Sequence, residues 1–192
     1  YDQANGTMKA ELADKDQKLA FANSYDTETG IDLEGTKSLE GRTLKDGEFT
    51  FEVKDKAGKV VATGSNKSDG SISFNNKLNY KLSDLEKADG SYESEKTYEY
   101  TVNEVIPEGA TAENNYTVNG VTYDSKTVNV KVTVTYNKET GELKAELAKD
   151  SEAIAFQNSY ETKTSIGLEG TKSLSGRTLK DGEFTFEVKD KA

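Results

Sequence analysis

Residues 128–136 read Val-Asn-Val-Lys-Val-Thr-Val-Thr-Tyr, and every second side chain in this stretch is apolar. Such strict alternation is typical of a β-strand with one face buried and the other in solvent. Residues 49–53, Phe-Thr-Phe-Glu-Val, show the same pattern, and Asp-Gly and Asn-Gly pairs mark tight turns between such runs. The sequence therefore predicts an all-β sandwich of short antiparallel strands. Only residues 82–87, with Ser83 as the N-cap, indicate a helical turn.

The composition excludes several classes of function. The 192 residues carry a net charge of −10 and include neither His nor Cys. An acidic surface repels a phosphate backbone, so we expect no nucleic-acid partner. Without His and Cys the usual ligands of zinc, haem and iron-sulfur clusters are missing, as are Ser-His-Asp and Cys-His catalysis, so we expect no metal and no cofactor. No apolar run approaches the roughly 20 residues of a membrane span, so membrane insertion is not expected.

A long internal repeat organises the chain. Residues 41–57, GRTLKDGEFTFEVKDKA, return unchanged as residues 176–192, an offset of 135 positions. The same offset pairs Phe-Ala-Asn-Ser-Tyr at 21–25 with Phe-Gln-Asn-Ser-Tyr at 156–160. A period of this length corresponds to a whole domain rather than to one repeat of a solenoid. The sequence therefore predicts a tandem array of 135-residue units.

The repeat also predicts the domain boundaries. Polar residues 26–30 and 161–165 are interpreted as linkers between units. Residues 31–160 then form one complete domain, residues 1–25 the C-terminal part of a preceding repeat, and residues 166–192 the N-terminal part of a following repeat. We therefore expect the chain to begin and end within a unit.

Three polar residues occupy positions that the alternation directs toward the core. They are Lys37 within residues 31–39, Glu104 within residues 98–104 and Asn158 within residues 154–160. Taken singly, each has an alternative interpretation as an exposed or simply hydrogen-bonded strand residue. Because burial of an isolated charge is costly, a lysine, an acid and an amide that converge in a core are expected to share protons or to react.

Desolvation gives these three groups a specific reactivity. An apolar pocket favours the neutral, nucleophilic amine of Lys37 and the protonated form of Glu104. We expect the protonated Glu104 to hydrogen-bond the side-chain carbonyl of Asn158 and to transfer a proton while the lysine attacks the amide carbon. The product is a Lys37–Asn158 isopeptide bond, with release of ammonia. Each molecule reacts once and on itself, so we expect no turnover enzyme.

The same stretches resemble a known family. The runs GTKSLEGRTLKDGEFTFEV, YEYTVNEV and FQNSY closely resemble the streptococcal pilin isopeptide linkage domain, a major-pilin-type, immunoglobulin-like (CnaB-like) domain of Gram-positive pili and surface adhesins. The resemblance implies a β-sandwich with a self-generated bond between Lys37 and Asn158 and with Glu104 as its catalyst. By the repeat offset it assigns equivalent positions to Lys172 and Asn23, whose partners and catalytic acids are expected in neighbouring repeats.

The resemblance further implies a structural role outside the cell. It predicts a cell-wall-anchored stalk or spacer domain of a surface adhesin or pilus, with adjacent repeats of the same polypeptide or fibre as partners and a host surface ligand at a distal tip. Pro107 is the only proline, so the sortase-reactive Tyr-Pro-Lys motif of shaft pilins is missing and sortase polymerisation is not supported. A ligand-binding adhesive module that presents a loop to a host glycan or protein stays open as the alternative. A glycosidase with two carboxylates is more distant, because the chain has no Trp for an aromatic platform.

Overall fold

The computed structural model describes residues 1–12, 18 and 20–191. Contacts divide the chain into two compact units, Tyr1–Tyr160 and Glu161–Ala192. Among the described residues, all strands lie in the first unit, and the second unit contains turns but no strand.

Twelve strands and two short 3-10 helices make up the regular structure of the described residues. The helices are Leu82–Leu85 and Ala112–Asn114. The strands are β1 (Glu28–Ile31), β2 (Glu34–Glu40), β3 (Thr50–Asp55), β4 (Val60–Asn66), β5 (Ser71–Phe74), β6 (Leu78–Lys81), β7 (Glu95–Glu104), β8 (Thr117–Val118), β9 (Val121–Thr122), β10 (Thr127–Asn137), β11 (Glu142–Leu147) and β12 (Ile154–Tyr160). The all-β prediction is confirmed. In the part of the chain that is described, neither helix approaches the length and hydropathy of a membrane span.

Ten strands form one sheet, in the order β11-β10-β7-β3-β4-β5-β2-β12-β9-β8, and β1 pairs with β6 separately. Strands β2 and β12 are parallel neighbours, with Lys37 opposite Phe156 and Leu39 opposite Asn158. In the sheet order three strands separate β2 from β7, yet Lys37 on β2 lies within hydrogen-bonding distance of Glu104 on β7. The sheet therefore folds over on itself, and its two halves face each other as the layers of a sandwich.

Apolar side chains fill the space between the two halves. Phe51 on β3 is fully buried, and its ring centroid lies 5.1 Å from that of Phe156 on β12. On β10 the valines of residues 128–134 are all buried, as the alternation predicts. Burial of these aromatic and branched side chains supplies the main stabilisation of the sandwich.

The predicted linker at residues 26–30 is wrong for its last three residues. Residues 28–30 belong to β1, which pairs antiparallel with β6. Gly30 lies opposite Asn79, and a Cβ atom at Gly30 would come within 2.6 Å of the Asn79 Oδ1 atom. Residues 28–30, which their polar character marked as linker, are therefore paired strand residues, and a larger side chain at residue 30 would displace the Asn79 amide.

The predicted helical turn also differs in its cap. The 3-10 helix Leu82–Leu85 begins after Lys81, so Ser83 lies within it and is not the N-cap. The Asp84 carboxylate accepts a hydrogen bond from the Lys81 N–H at 2.8 Å. The acid three residues after the cap position therefore stabilises the first turn, and no cap hydroxyl is needed.

Residues of the terminal segments are exposed where their repeat equivalents are buried. Phe21 is 88% exposed and its equivalent Phe156 only 2%, while Phe186 is 73% exposed and its equivalent Phe51 is 0%. Strands β4 to β9 and all but the last two residues of β10 come from residues 60–135, which have no second copy in this chain. The same local sequence therefore lies in a core only where these strands are present to cover it.

Paired substitutions of Phe51 and Phe186 test this difference. Phe51→Ala is expected to lower the free energy of unfolding by about 3 to 5 kcal/mol, because it leaves a cavity in the core. The repeat-equivalent substitution Phe186→Ala is the matched control and is expected to change it by less than about 0.5 kcal/mol. Urea unfolding of the full chain, followed by circular dichroism, measures both. Equal losses would contradict the location of the core.

Candidate functional site

Three strands each contribute one polar side chain to the core. Lys37 on β2 faces inward while its neighbours in the strand face outward, and Asn158 does the same on β12. Glu104 is the last residue of β7, in the facing half of the sandwich. The three residues are 3%, 1% and 5% exposed, in that order. The strand period of two directs each side chain inward, and the fold-over of the sheet brings the three together.

Glu104 connects the other two residues. The Lys37 Nζ atom donates a hydrogen bond to Glu104 Oε2 at 2.8 Å, and the Asn158 Nδ2 atom donates one to Glu104 Oε1 at 2.7 Å. The side chains of Lys37 and Glu104 are fully buried. One carboxylate therefore bridges an amine and an amide nitrogen in a site without solvent contact.

The side-chain oxygen of Asn158 has a different partner. It accepts a hydrogen bond from the backbone N–H of Asp124 at 2.8 Å. Because a backbone N–H can only donate, the oxygen must face Asp124 and the NH2 group must face Glu104. The expectation that Glu104 hydrogen-bonds the Asn158 carbonyl is therefore wrong. Glu104 contacts the nitrogen of the amide, and the Asp124 peptide group contacts the oxygen.

Burial shifts both ionisable groups of the cluster toward their neutral forms. Desolvation lowers the pKa of Lys37 and raises the pKa of Glu104, and their mutual hydrogen bond only partly offsets these shifts. The ring centroid of Phe49 lies 4.6 Å from the Lys37 Nζ atom and forms part of the apolar surroundings. Both shifts favour transfer of a proton from the lysine to the glutamate, which leaves a nucleophilic amine.

Asn66 is a buried polar residue that the sequence analysis missed. It is 1% exposed, its Oδ1 atom accepts the Phe49 N–H at 2.8 Å, and its Nδ2 atom donates to the Lys45 carbonyl at 2.7 Å. It thereby fixes the backbone that carries the ring beside Lys37. Asn66 has the inward phase of β4, together with Ala62. The rule that identified Asn158 would have found it.

Asp124 was also missed, and no pattern in the sequence points to it. It lies in residues 123–126, an irregular segment between β9 and β10. Its carboxylate accepts the Gln157 N–H at 3.1 Å and pairs with the Lys126 ammonium at 3.1 Å. Because its contact with Asn158 uses the main chain, the residue type gives no signal.

The repeat equivalents of Asn158 and Lys37 lie in different surroundings. Asn23, in the first unit, and Lys172, in the second, are both exposed. The Lys172 Nζ atom donates to the Ser173 carbonyl at 2.9 Å and lies 4.8 Å from the Phe184 ring centroid. The contact between Lys37 and Phe49 thus has a counterpart between Lys172 and Phe184, but Lys172 is exposed. Partners for Asn23 and Lys172 in neighbouring repeats stay a prediction.

The cluster is satisfied by protein groups. Within the described ranges, every buried side-chain nitrogen or oxygen has a hydrogen-bond partner. Across residues 1–12, 18 and 20–191, no group of three or more Asp, Glu, His or Cys side chains is placed to hold a metal ion. The groups in contact at the site are an amine, a carboxyl group and an amide.

Several known structures resemble this chain. The major pilin from Streptococcus pyogenes is 20% identical, and the match covers 69% of this chain and 51% of the pilin chain with a TM-score of 0.38. The T-13 major pilin from the same organism is 19% identical, with 70% and 54% covered and a TM-score of 0.33. The chain thus spans about half the length of these pilins. No curated protein matches it.

A family comparison covers most of the sandwich. The family model for a Spy0128-like isopeptide containing domain matches residues 33–161. The matched range includes Lys37, Glu104 and Asn158, and it contains every strand from β2 to β12. The resemblance found in the sequence is thereby confirmed at the level of the family. This chain belongs to the family of Spy0128-like, streptococcal pilin isopeptide domains.

Proposed function

We propose that Lys37 and Asn158 form an intramolecular isopeptide bond with Glu104 as the proton-transfer group, and that the bond reinforces a structural domain of a bacterial surface protein. The observation that carries the proposal is one buried carboxylate hydrogen-bonded both to the attacking amine and to the nitrogen that leaves. Membership of a pilin isopeptide family supports the same conclusion. The reaction happens once per molecule, so the domain modifies itself and turns over no substrate.

Glu104 moves protons between the two nitrogens. Its Oε2 atom takes one proton from the Lys37 ammonium, and the neutral Nζ attacks Cγ of Asn158, which places negative charge on Oδ1. Glu104 gives that proton to Nδ2 through Oε1 and accepts a second one from Nζ. The bond from Cγ to Nδ2 then breaks, the carbonyl re-forms, and ammonia leaves. Ammonia removes the remaining proton from Glu104 as it departs.

The bond ties two strands that are already neighbours. Because β2 and β12 are parallel, tension between the start of β2 and the end of β12 acts on the pair in shear. A covalent bridge between them bears this load before the ladder hydrogen bonds separate. The bond also closes a loop of roughly 120 residues, for which the loop-entropy estimate is about 5 kcal/mol. That is comparable to the whole stability of a modest domain.

We infer that the domain is a stalk or spacer unit of an extracellular, cell-wall-anchored adhesin or pilus. The sequence repeat supports residues 31–160 as one complete unit, with residues 1–25 and 166–192 as parts of its neighbours. The exposure of the terminal aromatic side chains supports the same division. Adjacent repeats are then the nearest partners, and Asn23 and Lys172 belong to cross-links in those repeats.

Intact mass spectrometry tests the bond directly. The purified full chain is expected to be lighter than its sequence mass by one ammonia, and digestion should yield a peptide pair joined through Lys37 and Asn158. Lys37→Ala and Glu104→Gln are expected to restore the sequence mass, because they remove the nucleophile and the proton carrier.

Two matched controls accompany this measurement. Lys172→Ala removes the repeat-equivalent lysine, and Glu99→Gln removes an exposed acid from the same strand as Glu104. Both proteins are expected to lose ammonia as the wild type does. An unmodified mass in folded wild-type protein would overturn the proposed function.

Thermal unfolding measures what the bond contributes. Lys37→Met keeps the apolar stem and removes the amine, so its loss of stability combines the missing bond with the lost partner of the Glu104 carboxyl group. The Tm is expected to fall by on the order of 15 °C, from the loop-entropy estimate and the usual entropy of unfolding for a domain of this size. Lys172→Met is the control and should melt as the wild type does. A Tm for Lys37→Met within a few degrees of the wild type would show that the bond stabilises the domain little.

A further inference from the structure

The addition step places negative charge on the Asn158 side-chain oxygen, and Glu104 is not positioned to stabilise it. Both Glu104 oxygens are engaged on nitrogen atoms, Oε1 with Asn158 Nδ2 and Oε2 with Lys37 Nζ. The oxygen of the amide points away from that carboxylate, toward the segment of residues 123–126. A second group must therefore act on the oxygen.

The backbone of Asp124 supplies a donor at this position. Its N–H is already 2.8 Å from Asn158 Oδ1 before any reaction, and Asn158 is only 1% exposed. A fixed donor to a buried oxygen is worth more than the same hydrogen bond in solvent, because the donor does not have to reorganise as the charge appears. This geometry is that of an oxyanion donor.

The Asp124 side chain holds this donor in place. Its Oδ2 atom accepts the N–H of Gln157, the residue before Asn158, at 3.1 Å, while its Oδ1 atom accepts the Lys126 N–H at 3.2 Å. Residue 124 and strand β12 are thus joined by a reciprocal pair of hydrogen bonds, one from each backbone to a side chain of the other. Burial of Asp124 opposes ionisation, but these donors outweigh it and lower the pKa of its carboxyl group, which keeps the acceptor charged.

We propose that the main-chain N–H of Asp124 is the oxyanion donor for cross-link formation, and that the Asp124 carboxylate is a positioning group that aims it at Asn158. This inference rests on the proposed isopeptide reaction and assigns separate roles in it to Glu104 and Asp124. Glu104 carries protons between the nitrogen atoms, while Asp124 stabilises the charge on oxygen. The donor makes its contact in the unreacted state, so the site is organised before the lysine attacks.

Two substitutions at residue 124 separate the donor from the side chain. Asp124→Ala removes the carboxylate and keeps the N–H, whereas Asp124→Pro removes both. The full chain is synthesised in a cell-free system, samples are quenched over time, and intact mass gives the fraction that has lost ammonia. Asp124→Ala is expected to slow cross-linking several-fold, and Asp124→Pro to slow it by about a further 100-fold, the usual effect of losing one oxyanion donor.

The outcomes distinguish this inference from the reaction on which it rests. A folded Asp124→Pro chain that cross-links as fast as Asp124→Ala overturns the donor assignment, while ammonia loss by the wild type still supports the reaction. A wild-type chain that never loses ammonia overturns the reaction itself.

A second measurement does not depend on the fold of the proline variant. In Lys37→Met, which leaves Asn158 unreacted, nuclear magnetic resonance is expected to detect scalar coupling across the hydrogen bond from the Asp124 amide nitrogen to the Asn158 side-chain carbonyl carbon. Exchange of the Asp124 amide proton with solvent should be slow in the same sample. Absence of the coupling, or rapid exchange, overturns the assignment whatever Asp124→Pro does.

Discussion

The hydrogen bond between Lys37 and Glu104 joins the two halves of the sandwich, and the functional site depends on it. It spans from β2 to β7 at 2.8 Å, with both side chains shielded from solvent. Removing two charges from water is expensive, and an apolar pair of similar volume would often be as stable. In a chain with only 33% hydrophobic residues, using core positions for a charged pair adds little stability. The same carboxylate also accepts a hydrogen bond from the Asn158 amide, and this arrangement is what the proposed cross-link uses.

The topology makes this interaction possible. Strands β2 and β12 come from opposite ends of the domain and lie next to each other in parallel, so the lysine and the asparagine share one face. Glu104 reaches them only because the sheet folds over and brings β7 opposite that pair. Asn66 then secures Phe49 beside the lysine, and Asp124 secures the amide oxygen. The site is thus held by several strands that are distant in sequence, which keeps the side chains of Lys37, Glu104 and Asn158 in fixed positions.

The predictions succeeded where the relevant signal is local and failed where it is not. Alternation along single strands identified the inward phase of Lys37, Glu104 and Asn158, because a strand directs alternate side chains to opposite faces whatever its neighbours are. The linker at residues 28–30 was misjudged, since these residues pair with β6, a contact that sequence patterns do not reveal. The direction of the Asn158 amide was misjudged for a similar reason. It depends on a backbone N–H from an irregular segment, and any residue except proline provides such a group.

The repeat separates what sequence determined from what tertiary structure decided. The local pattern by itself determined strands, their inward faces, the 135-residue period and the family of the domain. It did not determine burial, since Phe49 is 2% exposed and Phe184, in an identical stretch, is 41% exposed. Nor did it determine which atoms of Asn158 meet Glu104 and Asp124. Burial and contact depend on strands that arrive from elsewhere in the chain, so only the folded sandwich places the lysine, the acid and the amide in one dry site.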